Sequence, residues 1–308
     1  MSTVNILRMN KKATPIESDE LCAKSAVDLV TLIKKREISC VDLMESCIQR
    51  YEKVNGAINA VIETNFENAL SVSKDVDKNF EQRIANERFL PIPIGIKDLN
   101  DVAGMKTTYG SPLFQNNKVE NDDDVVAHLK DASAMIFGKT NVPEHGFGAT
   151  TTNPLQGSTG NPFNPLLSAG ASTGGGAAAV ASGIVPLATG SDFAGSLRTP
   201  ASFCGIAGMR PSNGIVGTGR RSNIWSPFDV EGPMAKTAAD CKLLLGHMAK
   251  SHPLDPFSKS QSVELLQPAE EIDLKKLKVA VSHDHSLAIM SKSYMHTSYA
   301  KIKKYSSL

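Results

Sequence analysis

Three residues of this sequence carry side chains that could attack a carbonyl group or move a proton. Ser172 lies in "GASTGGG" (170–176), where Gly170-Ala171-Ser172-Thr173-Gly174 fits G-x-S-x-G, the turn that exposes the nucleophile of α/β-hydrolases. Ser196 follows Phe193-Ala194-Gly195 in "GSDFAGSLRTPASFCG" (190–205). Successive N–H groups in such a turn converge on one point and form an oxyanion hole; the plain alternative is a tight turn with Ser196 as a cap. Lys97 closes the apolar run "PIPIGIK" (91–97). At a surface it would be an ordinary ammonium with its stem laid along apolar neighbours. Buried, it would lose its proton more easily and serve as a base. Serine with a lysine base is an established variant of the Ser-His-Asp arrangement.

The elbow reading of Ser172 meets two objections. The preceding "NPFNPLLSA" carries two prolines and two asparagines, which is loop chemistry rather than a buried strand. None of the downstream histidines (His247, His252, His283, His285, His296) sits in a context that suggests a catalytic base. Other chemistries fare worse. "GASTGGGAAA" lacks the G-K-[ST] ending of a phosphate loop and does not fit G-x-G-x-x-G. "HDH" (283–285) has no partner ligands nearby and reads as a surface turn, so no metal and no cofactor are expected.

The elements that must position these residues alternate. Apolar positions at helical spacing predict a helix from Ser25 through Ile33 and a second over Val41–Tyr51. "INAVIE" (58–63) predicts a strand, followed by a charged amphipathic helix near 65–78. The run 91–97 predicts a buried strand that delivers Lys97 to its end. Further along, 123–132 reads as helix, 134–139 as strand, 175–183 as helix, and 184–190 and 204–209 as strands. Residues 236–249 read as helix and "LKVAVS" (277–282) as a last strand. This alternation predicts an α/β layer structure with a parallel or mixed sheet. Residues 1–20 read as a polar, poorly ordered lead-in, and the rest, without repeats or a low-complexity linker, as one domain over 21–308.

Sixteen of the 23 glycines fall between residues 140 and 219, with only Glu144, Asp192, Arg198 and Arg210 charged there. A surface linker of that length would carry more charge, so the segment reads as the buried floor of a site. Asp192 and Arg198, flanking Ser196, read as a buried ion-pair frame. Across the chain 33 basic residues balance 32 acidic ones, which gives no broad attraction to nucleic acid or an anionic membrane. The N-terminus has no signal-like apolar run and no stretch is long enough to span a bilayer. Five cysteines without a C-x-x-C pair read as reduced packing thiols, so a cytoplasmic location is expected.

Taken together, the segments resemble the amidase signature family, whose members hydrolyse amides with a Ser–Ser–Lys triad. "PIGIKDLNDVAGMKTTYGS" (93–111) is similar to the family's lysine segment. "GKTNVPEHGFG" (138–148) and "GSTGNPFNP" (157–165) resemble its approach to the glycine loop. Residues 168–214 resemble the signature itself, with order and spacing agreeing over roughly 120 residues, far more than a short motif supplies. The resemblance implies an amidase-type mixed sheet covered by helices, with Lys97 as general base, Ser172 as bridging serine after a cis Ala171–Ser172 bond, and Ser196 as nucleophile. It implies an oxyanion hole from the N–H groups of Phe193, Ala194 and Gly195 with that of Ser196. Ala194 stands where the family commonly has glycine, and Ala171 and Thr173 where glycine and serine are common. Family members are usually much longer, so the chain is expected to hold the N-terminal portion of the usual domain. The implied activity is amide hydrolysis through an acyl-enzyme, on a small amide, at carbon–nitrogen bonds other than peptide bonds. The alternatives are an amidase-type component of a tRNA-dependent amidotransferase and a truncated inactive homologue. Neither nucleic acid nor membrane is expected as a partner, and homo-oligomerisation is left open.

Overall fold

A computed structural model describes residues 21–219, 223–258, 273–282, 284 and 289–305. The chain divides into two compact units, Met1–Leu266 and Gln267–Leu308. The lead-in expected over 1–20 and the histidines of "HDH" lie outside the described residues.

The first unit is built around a six-stranded mixed sheet. It opens with helix α1 (Ala26–Lys34) and helix α2 (Cys40–Ile58). Ser25 caps α1 by accepting the N–H of Asp28, and Ser39 and Asp42 form a reciprocal capping box at the start of α2. The expected strand at 58–63 begins later, as β1 (Val61–Thr64), because α2 runs on to Ile58 and Asn59 closes it in a left-handed conformation. Helices α3 (Phe66–Lys78) and α4 (Phe80–Ile84) lead to β2 (Pro93–Lys97), every residue of which is buried. Helix α5 (Asp124–Asp131) and strand β3 (Met135–Thr140) follow, then the two-residue strands β4 (Thr152–Asn153) and β5 (Gly157–Ser158), which pair with each other.

Helix α6 (Gly174–Ala181) and strand β6 (Leu187–Asp192) carry the glycine-rich floor. From Ala169 to Gly190 every residue except Ala181 is buried. The strand expected at 184–190 starts only after Pro186, which has no N–H for a ladder. Helix α7 (Arg198–Cys204) takes the first residue of the strand expected at 204–209 and leaves the short β7 (Ala207–Gly208). Strand β8 (Val230–Ala235) and helix α8 (Ala238–Met248) complete the unit.

The strand order is β1-β3-β2-β6-β8-β7. β2 runs parallel to both β3 and β6, whereas β1, β8 and β7 pair antiparallel with their neighbours. β2 sits third of six with both faces covered, so its sequence is a continuous apolar run rather than an alternating one. On one flank Tyr51, Phe66 and Phe137 pack edge to face, with centroids 5.1–6.1 Å apart.

The second unit corrects one expectation. Residues 277–282 form no strand, and Val279 and Val281 are exposed. Apolar alternation makes a strand only where a partner backbone accepts its N–H groups, and no described strand pairs with this run. Helix α9 (Lys292–Tyr305) is the unit's main element and includes the "KIKK" run.

Candidate active site

The parallel order brings the ends of β2 and β6 together and lays the turn before α6 across them. Lys97, the last residue of β2, has no exposed surface. Its Nζ donates to Ser172 Oγ at 2.9 Å, to Ser191 Oγ at 2.9 Å and to the Ser191 carbonyl at 3.4 Å. Among the described residues it makes no ion pair. Burial pushes its ammonium down to about 8, against the opposing pull of Glu231, Asp229 and Asp192. An ammonium hydrogen-bonded only to neutral oxygens gives up its proton more readily than one bonded to a carboxylate, so this site eases formation of the amine.

Ser172 and Thr173 are buried, and the Ala171–Ser172 peptide is cis, as the resemblance implies. The Thr173 N–H donates to the Ser196 carbonyl at 3.2 Å, which ties the Ser172 turn to the Ser196 turn. Ser196 is half-buried, and among the described residues its hydroxyl makes no hydrogen bond. The structure therefore joins Lys97 directly to Ser172 and holds Ser196 beside them through the backbone.

The turn after β6 is shaped by Asp192. Its Oδ1 accepts the N–H of Gly195 at 2.7 Å, and its Oδ2 that of Leu197 at 3.2 Å. Arg198 grips both oxygens, at 2.9 and 3.1 Å, and Arg210 approaches from 3.5 Å. Burial works to raise the Asp192 carboxyl, but Arg198 and the two N–H donors bring it below the usual carboxylate range. Gly195 has a φ of +119°, open to glycine and strained for other residues. Its N–H, expected as an oxyanion donor, is the one Asp192 engages. The N–H groups of Phe193, Ala194 and Ser196 make no hydrogen bond among the described residues.

Sequence reasoning missed two participants. Ser191 precedes Asp192 and shares a strand face with Thr189, whose Oγ1 accepts the Lys97 backbone N–H at 3.3 Å. The period-two polar pair Thr189/Ser191 on one face of the strand was the available signal. Lys139 is a second wholly buried lysine, one strand away on β3. It pairs with Asp98 at 3.2 Å and donates to the Asn100 carbonyl at 2.6 Å and to Thr107 Oγ1 at 3.0 Å.

Among the described residues no group of three or more His, Cys, Asp or Glu side chains could hold a metal ion, and no helix is long and apolar enough to cross a membrane. The amidase family profile matches residues 42–305. The chain belongs to the amidase signature family. Among amidase relatives, an acylamidase of Rhodococcus erythropolis is 36% identical over 261 residues, covering 84% of this chain and 54% of that protein. The A subunit of the glutamyl-tRNA(Gln) amidotransferase from Nitrosococcus oceani is 35% identical over 262 residues, covering 85% and 54%. The solved structure of a bacterial aryl acylamidase of the amidase signature family superposes with a TM-score of 0.71 at 32% identity, covering 77% of this chain and 49% of that one. The amidase fold is thus shared, and the chain spans about half the length of the relatives it matches.

Proposed function

We propose that the chain cleaves the C–N bond of a small carboxamide through an acyl-enzyme on Ser196. The observation that carries this is the buried Lys97 amine, 2.9 Å from Ser172 Oγ and without a carboxylate partner among the described residues. Lys97 takes a proton from Ser172, which takes one from Ser196, and Ser196 Oγ attacks the carbonyl carbon. The N–H groups of Phe193, Ala194 and Ser196 receive the oxyanion, while that of Gly195 holds the turn through Asp192. The proton returns through Ser172 to the leaving nitrogen, and water then hydrolyses the ester by the same path. Every step uses groups of this chain and needs neither metal nor cofactor.

A fluorophosphonate probe tests the reading. We expect it to label wild-type protein at one serine and to leave Ser196→Ala unlabelled. Ser172→Ala should slow labelling and amide turnover by at least about 10²-fold, the usual scale for losing a positioned proton-transfer group. Labelling that survives in Ser196→Ala would refute the assignment. Relatives of nearly equal identity bear hydrolase and amidotransferase names. Ammonia release from simple amides without added partner chains favours the hydrolase; its absence from a well-labelled protein favours the amidotransferase reading.

A further inference from the structure

Beside the Lys97 end of the sheet lies a cavity of about 300 Å³, bordered by Ser191, Asn100, Glu231 and further carboxylates. Glu231, on β8, stands opposite Ser191 in the β6–β8 ladder. Asn100 follows the β2 strand by three residues and is fixed by its N–H to the Lys97 carbonyl at 2.9 Å. Its side-chain Nδ2 donates to Glu231 Oε1 at 3.1 Å and to Asp123 Oδ2 at 3.4 Å. These two bonds fix the amide orientation, because an oxygen in place of Nδ2 would face two carboxylates. The orientation leaves two buried oxygens without a donor among the described residues: Asn100 Oδ1 and Glu231 Oε2.

An ionised carboxylate with a buried, unserved oxygen near other carboxylates costs several kcal/mol as an order of magnitude. One proton resolves both defects. A hydroxyl at Oε2 removes the charge and supplies the donor that Asn100 Oδ1 lacks, closing an acid–amide pair with two parallel hydrogen bonds. We infer that Glu231 is carried in the fold as the neutral acid, its proton on Oε2 directed to Oδ1 of Asn100. The groups facing it agree. Asp229 and Asp123 act on it as like charges, with Asp101 and Asp124 lining the same cavity and Lys97 as the opposing cation. Burial and Asp229 raise its carboxyl to about 7, with the Asn100 bond and Lys97 acting the other way.

The consequence falls on Lys97. Glu231 keeps its proton up to about 7 and ionises before Lys97 gives up its own at about 8. Its carboxylate, across the ladder from Ser191, then holds the proton on Lys97, whereas an uncharged side chain there would release it. Glu231 is therefore a positioning residue that sets the charge of the base. This second step rests on the base role proposed for Lys97, whereas the neutral acid does not.

The test uses the whole chain with ¹³C-labelled glutamate side-chain carboxyls. One carboxyl should titrate with a midpoint near 7, and Glu231→Gln should remove that resonance alone. Gln keeps both hydrogen bonds of the pair, so this variant should fold. A wild-type spectrum in which no glutamate titrates above about pH 6 overturns the proposal without any variant. For the consequence, the acid limb of fluorophosphonate labelling should move to lower pH in Glu231→Gln by about one unit. An unmoved limb overturns the positioning role. A protein that never labels while one glutamate titrates near 7 removes the hydrolase reading and leaves the neutral acid standing.

Discussion

Lys97 and Lys139 end up on neighbouring strands with no exposed surface, yet their surroundings assign them opposite parts. Lys139 has Asp98 at 3.2 Å, so its charge is balanced where it sits. Lys97 has hydroxyls and a carbonyl. Replacing each by methionine should separate the roles. Lys139→Met strands a buried Asp98 and should cost about 3–5 kcal/mol in urea unfolding. Lys97→Met removes a group held below its unfolded affinity for protons, and should stabilise the protein at pH 7 by on the order of 1–3 kcal/mol while abolishing turnover. The pH dependence has a definite sign. Between about 8 and the ordinary 10.5 of lysine the unfolded chain binds the proton that the folded chain has released. Stability therefore rises with pH across that window, and Lys97→Met should flatten the rise. Equal losses in both variants would contradict this division.

At the scale of elements, the site depends on how closely α6 seats against the end of β3. A Cβ on Gly175 would lie 2.2 Å from the Asn141 N atom and 2.5 Å from its carbonyl oxygen, both rigid backbone. Gly175→Ala should lower thermal stability by more than a typical surface change, with a loss above about 2 kcal/mol, and should slow probe labelling by displacing Ser172. A melting curve like that of wild type would show that the helix is free to shift. The same elements explain what was readable beforehand. β2 and the α6 region were legible because a continuous apolar run and a charge-poor glycine segment have few alternatives to burial. Lys97, Ser172 and Ser196 stood out because each interrupts or follows such a segment. Ser191 had a signal that went unread, whereas Asn100, Lys139 and Glu231 were not legible: their importance comes from neighbours on other strands, and strand order is invisible in local spacing. The run 277–282 misled for the converse reason, since its pattern fits a strand but pairing needs a second backbone.

For the molecule as a whole, several large apolar side chains stand on the surface. Phe163, Leu166, Leu167 and Phe203 are more than half exposed, and Asn161 Nδ2, donating to the Phe203 carbonyl at 2.7 Å, draws that loop against α7. Exposed apolar side chains of this kind favour association or dye binding. Native protein should bind an apolar dye such as ANS, and Leu166→Lys with Leu167→Lys should cut the signal by more than half without changing the melting temperature by more than a few degrees. Unchanged binding would place the dye elsewhere. The cysteines point the other way. All five are buried and in no disulfide, and burial pushes the thiols of Cys40, Cys47, Cys204 and Cys241 upward. Folded protein should thus ignore a maleimide, whereas Ser196→Cys should take up one equivalent per chain. The hidden thiols make the chain a blank background on which a single reporter can be installed at the reacting atom, and its emission would follow ligands arriving there without any turnover.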